Sequence, residues 1–322
     1  MLEATVKKIL QAHVYEAARE TPISPAPFLS RRFNNQILIK REDLQPVYSF
    51  KIRGAYNKMA QLSEEQKAKG VIAASAGNHA QGLAMAAKLM GVKAVIVMPR
   101  ITPEIKVQAV RARGAKVVLK GDAFAAAAEH AQELIAEHGY TYIPPFDDID
   151  VIAGQGTVAV EILRQHTGPL DAIFVPVGGG GLIAGVAAYV KYLRPDIKVI
   201  GVEAEDSACL KAALAAGKRV TLDQVGVFAE GVAVAQIGKV PFKVVRDLVD
   251  DVITVNADEM CAAVKDIFDD TRAVSETSGA LSLAGLKKYI QQTGVEGQTL
   301  LCINSGANTN FDRLQHIAER TE

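Results

Sequence analysis

Short apolar stretches alternate with alanine-rich stretches along this chain, and the alternation restricts the fold more than any other feature. Four stretches typical of strands are VIAAS, KAVIVMP, AKVVLKG and YTYIP, at residues 71–75, 93–99, 115–121 and 140–144. The segments between them look helical and end at Gly91, Gly114 and Gly139, where glycine favours a helix C-terminus. Strands that alternate with helices in this way indicate parallel sheets covered by helices.

A second series of the same kind follows further along the chain. Its strands, DAIFVPV, KVIGVEAE, DDVITVN and QTLLCINSG, cover residues 171–177, 198–205, 250–256 and 298–306. The strand ILIKRED (37–43) and the helix after Lys51 precede the first series. We therefore predict an α/β protein with two doubly wound, mostly parallel sheets. Residues 1–61 and 149–322 would form a large cofactor-binding domain, into which a small substrate-binding domain, residues 62–148, is inserted.

Composition and charge argue against several classes of function. Lys and Arg (36) balance Asp and Glu (36), so the formal net charge is zero and offers no field that would attract nucleic acid or an anionic membrane. The start, MLEATVKKIL, lacks the apolar core of a signal peptide, and no apolar run approaches the roughly 20 residues of a membrane helix. We expect a cytoplasmic protein that binds a small molecule. Cys209, Cys261 and Cys302 lack metal-ligand spacing and are expected to be reduced and buried.

Four consecutive glycines, Gly178–Gly181, separate a predicted strand from a predicted helix in VPVGGGGLIAG. Without side chains, backbone N–H groups can approach an anion closely, and the helix N-terminus attracts negative charge. The segment therefore predicts a phosphate site. Gly179, Gly181 and Ala184 also fit the G-x-G-x-x-A pattern of dinucleotide folds, with Glu203 placed as the ribose-binding acid. An NAD-binding oxidoreductase is thus one alternative.

Two other segments carry reactive groups. In YSFKIRGAYNK, residues 48–58, Lys51 lies between bulky apolar neighbours at the predicted start of a helix. In SAGNHAQG, residues 75–82, Ser75–Asn78 would present hydroxyl, amide and N–H groups at a helix N-terminus, which suits a substrate carboxylate. His79 alone is more often a structural hydrogen-bonding residue than an acid or a ligand. An amine, a carboxylate site and a phosphate site together suit an amino acid and pyridoxal 5'-phosphate, whose aldehyde forms a Schiff base with lysine.

The chain resembles the fold-type II pyridoxal-phosphate enzymes and, among them, the threonine dehydratases (threonine ammonia-lyases). The segments that carry this resemblance are SFKIRGA, SAGNHAQG, PPFDD, AGQGT, VPVGGGGL, VEAEDSACLKAAL, FAEGVAV and SGAN. The resemblance implies pyridoxal 5'-phosphate as the cofactor and a homodimer or homotetramer as the assembly. It also implies dehydration and deamination of L-threonine, and of L-serine, to 2-oxobutanoate or pyruvate and ammonia, a first step of isoleucine biosynthesis.

The same resemblance implies roles for individual residues. Lys51 would hold the cofactor covalently and act as the catalytic residue, and Phe50 would pack beside the cofactor. Asn78 would hydrogen-bond the ring hydroxyl, and Ser305 would meet the pyridine nitrogen. The residues that would hold the phosphate are Gly178, Gly179, Gly180, Gly181 and Leu182. The residues that would bind substrate are Ser75, Ala76, Gly77, Asn78 and His79.

Two differences from the family leave alternatives open. Thr277 follows Glu276 where many members have proline, and Cys209 stands where divalent-ion-dependent relatives such as serine racemase have aspartate. The resemblance therefore implies no divalent metal and favours a monovalent cation such as K⁺. A serine racemase or serine dehydratase of the same family is the nearest alternative, and a non-catalytic amino-acid-binding module is another. The segments EAEDSACLKAALAAG and FAEGVAV resemble the long biosynthetic form, which carries a C-terminal regulatory domain. Since the chain ends at Glu322, we expect no regulatory domain here.

Overall fold

A computed structural model describes residues 1–321, so Glu322 lies outside the described residues. The strands are β1 (Ile23–Pro25), β2 (Gln36–Arg41), β3 (Val71–Ala74), β4 (Ala94–Met98), β5 (Lys116–Leu119), β6 (Thr141–Tyr142), β7 (Ala172–Pro176), β8 (Lys198–Ala204), β9 (Asp251–Val255) and β10 (Thr299–Asn304). The α-helices are α1 (Leu2–Leu10), α2 (Pro27–Phe33), α3 (Lys51–Ala60), α4 (Glu64–Lys69), α5 (Asn78–Met90), α6 (Glu104–Arg111), α7 (Phe124–His138), α8 (Ile149–Gln165), α9 (Gly181–Leu193), α10 (Cys209–Ala216), α11 (Lys239–Val245), α12 (Ala257–Thr271), α13 (Thr277–Thr293) and α14 (Arg313–Glu319). Among residues 1–321, none of these helices combines the length and the apolar character needed to span a bilayer.

The larger sheet has six strands in the order β1-β2-β10-β7-β8-β9. Every neighbouring pair is parallel except β1 and β2, which run antiparallel. Helices α8 and α9 pack on one face through residues such as Ile152 and Val186. Helices α12 and α13 pack on the other through residues such as Val264 and Leu281. Because both faces are covered, the central strands are buried along their whole length, as expected of parallel strands.

The smaller sheet has four parallel strands in the order β5-β4-β3-β6. Helix α5 covers one face with residues such as Leu83, and helix α7 covers the other with Ala127 and Ala131. Two mostly parallel sheets with helices on both faces confirm the fold prediction. Ile52 and Met59 of α3 pack into the apolar cluster of the smaller sheet. The division into an outer and an inserted domain, with its boundaries, stays a prediction.

All nine strands predicted from the sequence are present, within a few residues of the expected bounds. Strand β1 was missed because it has three residues, ends in proline and pairs only at the edge of the sheet. Strand β6 is shorter than the stretch predicted for it. The three cysteines are buried, as expected.

Helix α8 lies in backbone contact with α3 on one side and α9 on the other, because glycines stand at both crossings. A Cβ added at Gly154 would lie 2.5 Å from the carbonyl oxygen of Arg53 and 2.7 Å from the Cα of Gly54. A Cβ added at Gly185 would lie 2.5 Å from the backbone nitrogen of Gly156. Real Cβ atoms do not approach so closely, so side chains are excluded at these points. Helices α3 and α9 are therefore held at fixed positions on α8.

We predict that Gly154→Ala separates α3 from α8 and destabilises the protein. Overpacking of this kind costs about 1–3 kcal/mol, so the free energy of unfolding measured in denaturant should fall by that amount. Gly168→Ala is the matched control, because a Cβ there would meet only His166 at 3.7 Å, an ordinary contact. Equal stability of the two variants would contradict the crossing described here.

Candidate active site

A pocket lies where the carboxyl ends of strands from both sheets approach each other, the usual place for ligands in α/β folds. Segments that follow β6, β7 and β10 line it, together with the first residues of α3 and α5. All nine predicted cofactor residues are among its lining residues. The full set is Phe50, Lys51, Asn78, Pro145, Phe146, Gln155, Pro176, Gly178, Gly179, Gly180, Gly181, Leu182, Gly231, Val232, Glu276, Ser278 and Ser305.

Lys51 is the first residue of α3, and its side chain reaches into the pocket. The Nζ donates a hydrogen bond to the carbonyl oxygen of Pro145 at 3.0 Å and lies 5.3 Å from the centre of the Phe50 ring. Burial lowers the pKa of Lys51 to about 8, although the nearby charge of Glu276 acts in the opposite direction. The amine is therefore neutral at a pH where ordinary lysines are still charged.

The segment before Lys51 is paired with the segment that contains Ser305. The Phe50 N–H donates to the carbonyl of Ser305 at 3.2 Å, and the Ala307 N–H donates to the carbonyl of Tyr48 at 2.9 Å. Tyr48 adopts a φ of 56°, in the left-handed region that bulky residues rarely occupy. These two hydrogen bonds hold the segment that leads to Lys51 directly against the segment that contains Ser305.

Arg53, one turn into α3, anchors the helix in the interior. Its guanidinium donates to both Glu42 oxygens at 2.8 Å, and to the two Glu161 oxygens at 2.6 and 2.9 Å. Lys40 reaches Glu161 at 2.7 Å, and all four side chains are buried. Burial alone would lower the pKa of Arg53, but the two carboxylates raise it above its ordinary value. The group is charged at every accessible pH and fixes α3 to the end of β2 and to α8.

The four glycines form the turn between β7 and the N-terminus of α9, as predicted. Gly180 has a φ of 90°, which favours glycine, and a Cβ there would meet Ile237 at 2.4 Å. A Cβ at Gly179 would meet the ring of Phe146 at 2.1 Å. The backbone of this turn therefore faces the pocket without side chains, and its N–H groups open a helix of 13 residues.

The predicted substrate segment lies at the start of α5, but only Asn78 of its five residues lines the pocket. Ser75 and Ala76 are half-buried, Ala76 packs against the apolar cluster of the smaller sheet, and Gly77 is exposed. His79 is buried, and its Nε2 lies 2.8 Å from the carbonyl oxygen of Ile143. Burial, followed by the charge of Lys51, lowers the pKa of His79 to about 4. The imidazole is neutral and holds the helix in place.

Sequence reasoning assigned no role to Glu276, although it noted the residue beside Thr277. The carboxylate lines the pocket and accepts a hydrogen bond from Asn78 Nδ2 at 2.7 Å. Burial raises the pKa of Glu276 to about 7, against the lowering effect of the Asn78 hydrogen bond. A glutamate shortly before a small-residue helix start, SGA, was the only sequence signal that pointed to it.

Glu203 does not lie where a ribose-binding acid would be needed. It is fully buried, and its two oxygens accept hydrogen bonds from the N–H groups of Leu210 and Lys211, at 2.7 and 2.9 Å. The carboxylate therefore stabilises the N-terminus of α10. Cys209 Sγ donates to the carbonyl of Gly178 at 3.4 Å. This geometry disfavours the NAD alternative, since the acid is already occupied by the protein.

Comparison with known proteins agrees with this site. A family model described as pyridoxal-phosphate dependent enzyme matches residues 14–306. The biosynthetic L-threonine dehydratase of Burkholderia multivorans is 57% identical over 98% of this chain. The match covers 63% of that relative, so the chain spans less than two thirds of its length.

Solved structures of related proteins have the same fold as this chain. The processed form of threonine deaminase isoform 2 from Solanum lycopersicum is 47% identical, with a TM-score of 0.97, and the match covers 99% of this chain and 93% of that one. Serine racemase from Dictyostelium discoideum is 32% identical with a TM-score of 0.87, over 95% of this chain and 99% of that one.

We predict that the Lys51 amine titrates near pH 8 in the protein freed of bound small molecules. Because the charged form is disfavoured, about nine tenths of the amine is neutral at pH 9, whereas a solvated lysine with a pKa of about 10.4 remains mostly charged. Mass spectrometry of acylation rates at increasing pH measures this for each lysine. Glu276→Gln removes a negative charge and should move the midpoint lower still. A midpoint above 10 would rule out the reactive amine.

Proposed function

This chain belongs to the family of pyridoxal-phosphate-dependent enzymes, and we therefore propose that it dehydrates and deaminates L-threonine to 2-oxobutanoate and ammonia. L-Serine, one methyl smaller, would give pyruvate. The family assignment confirms the resemblance read from the sequence. The observation that carries the proposal is an amine of lowered pKa, Lys51, in one pocket with a glycine turn that suits a phosphate. Isoleucine biosynthesis, which the sequence resemblance implies, is the proposed setting.

The pocket fits a phosphorylated pyridine aldehyde. The N–H groups of Gly178–Gly181 would hold the phosphate, since this turn opens a helix N-terminus and a Cβ at Gly178, Gly179 or Gly180 would clash with the protein. Asn78 would contact the ring hydroxyl, Ser305 the ring nitrogen, and Phe50 would pack beside the ring. When bound, pyridoxal 5'-phosphate supplies an aldehyde that bonds covalently to an amine and a ring that accepts the electron pair left when an α-proton departs.

Lys51 would provide both the attachment point and the base. Its neutral amine can form the covalent bond to the aldehyde, and once released by the substrate amine it can accept the α-proton. Burial favours the neutral form at pH 8 and above. The Ser305 hydroxyl is not a carboxylate, so it does not hold a proton on a ring nitrogen. We infer that a ring nitrogen beside Ser305 would be left unprotonated, which would favour elimination over transamination.

The substrate carboxylate would bind at the N-terminus of α5. The segment Ser75–His79 opens a helix of 13 residues, and unpaired N–H groups at such an end attract anions. Because this helix packs on the smaller sheet, we propose that residues 62–148 act as a substrate-binding insert in a cofactor-binding domain. The four strands of the smaller sheet all fall within that range.

A homodimer or homotetramer, a cytoplasmic location and a bound K⁺ are also proposed. Light scattering of the purified protein, cell fractionation and activity measured in Na⁺ against K⁺ test these three points.

Lys51→Ala should abolish turnover of threonine, by at least a thousandfold, while the circular dichroism spectrum stays unchanged. No other residue of the pocket offers an amine. Lys116→Ala, at an exposed position of β5, is the control and should keep wild-type activity. Formation of 2-oxobutanoate is measured for both variants. A tenth of wild-type activity in Lys51→Ala would reject the assigned role.

Serine distinguishes a dehydratase from the racemase alternative. Racemisation needs a proton donor on each face of the substrate, and Ala76, in the segment where the substrate carboxylate would bind, carries a methyl group that cannot donate. We expect pyruvate without D-serine when the protein acts on L-serine. Chiral chromatography of the serine left after partial turnover measures this. D-Serine formed as fast as pyruvate would favour the racemase.

A further inference from the structure

The side-chain amide of Asn78 belongs to a chain of hydrogen bonds that runs from the pocket to the main chain of Val47. Asn78 Nδ2 donates to Glu276 Oε1 at 2.7 Å. On the other side, Asn78 Oδ1 accepts from Asn308 Nδ2 at 2.7 Å. Asn308 Nδ2 also donates to the carbonyl oxygen of Val47 at 2.8 Å. Two side-chain amides, those of Asn78 and Asn308, therefore link Glu276 to the main chain of Val47.

An asparagine amide can turn by 180° and exchange its oxygen and nitrogen with almost no change of shape, so only hydrogen bonds select the orientation. The Val47 carbonyl can only accept, which turns Asn308 Nδ2 towards it. That nitrogen can only donate, which turns Asn78 Oδ1 towards Asn308. The ionised Glu276 can only accept, which turns Asn78 Nδ2 towards it. Both ends of the chain require the same orientation.

We propose that Asn308 is a positioning residue, which together with Glu276 sets the orientation of the Asn78 amide so that a nitrogen, and not an oxygen, serves the cofactor. The inference rests on the proposed function, in which Asn78 donates to the ring hydroxyl. Glu276 uses one of the two hydrogens on Nδ2, and the second is left for that contact. In the reversed orientation a carbonyl oxygen would stand there, and it could not donate to the ring oxygen.

The two ends of the chain are not equivalent. Burial raises the pKa of Glu276 to about 7, so near neutral pH its carboxyl is protonated part of the time and can then donate as well as accept. The Val47 carbonyl, by contrast, does not titrate and always accepts. Asn308 therefore keeps Asn78 oriented when Glu276 does not.

Asn308→Asp is the test, because aspartate has nearly the same shape but cannot donate. The aspartate and Glu276 would then both compete for Asn78 Nδ2. The dissociation constant of pyridoxal phosphate is measured by diluting the holoenzyme and following its visible absorption. We expect this constant to rise about tenfold and the absorption maximum to shift. The kcat for threonine should fall more than KM changes. Asn310→Asp, two residues away, adds the same charge outside the chain of bonds and should change these values less than twofold.

The double variant Glu276→Gln, Asn308→Asp separates the effect on the orientation of the Asn78 amide from the effect on protein stability. Glutamine can donate to Asn78 Oδ1 while the aspartate accepts from Nδ2, so the two bonds of Asn78 are restored in the reversed direction, and only the Val47 carbonyl stays without its donor. We expect the thermal midpoint to rise above that of Asn308→Asp alone, while the weakened cofactor binding persists. The double variant also provides the test if Asn308→Asp alone does not fold.

Wild-type cofactor affinity in Asn308→Asp would overturn the inference, as would recovery of cofactor affinity together with stability in the double variant. If the wild type itself neither binds pyridoxal phosphate nor forms 2-oxobutanoate, the proposed function fails instead. The two failures are distinguished by the wild-type measurement alone.

Discussion

The buried pairing of Arg53 with Glu42 and Glu161 is the interaction on which the position of Lys51 depends. It joins α3 to the end of β2 and to α8, and with Lys40 the group contains two positive and two negative charges, all buried. Removing one member of such a group leaves an uncompensated charge in the interior, at a cost of about 3–5 kcal/mol. Helix α3 therefore cannot shift alone, and its first residue is held at the pocket.

Lys51 and Arg53 lie two residues apart on the same helix and have opposite electrostatic surroundings. Arg53 is bound by two carboxylates and is permanently charged, whereas the Lys51 amine contacts a neutral carbonyl and has a pKa of about 8. An arginine tolerates burial only when paired, and a lysine can lose its proton instead. One helical turn thus carries a permanently charged arginine and a lysine that can lose its proton near pH 8.

The glycine crossings extend this rigidity to the opposite side of the pocket. Helix α8 holds α3 through Gly154 and holds α9 through Gly156, so the helix that begins with the lysine and the helix that follows the glycine turn share one support. The distance between an amine and a phosphate site is then set by backbone contacts, which do not adjust as side chains do. A cofactor of fixed length requires such a spacing.

Much of the fold was predictable, since strands buried on both faces read as continuous apolar runs such as AIFVP and TLLCIN. The gathering of Lys51, the glycines and Ser305 at one pocket was predictable too, because these residues follow strand ends or begin helices. The contacts that could not be predicted were those between segments far apart in the sequence. Asn308 lies in the segment SGAN but received no role from the sequence, and the place of Glu276 at the pocket depends on its contact with Asn78.

The sequence by itself determined the alternation of strands and helices, the glycine turn and the place of Lys51 at the start of a helix, because each depends on residues close together in the chain. Only the tertiary structure decided which charges neutralise one another, how far the pKa of Lys51 falls and which way the Asn78 amide faces. Those properties depend on burial and on partners as many as 230 residues apart, as for Asn308 and Asn78. No local pattern encodes them, since desolvation and hydrogen-bond direction exist only once the segments have met.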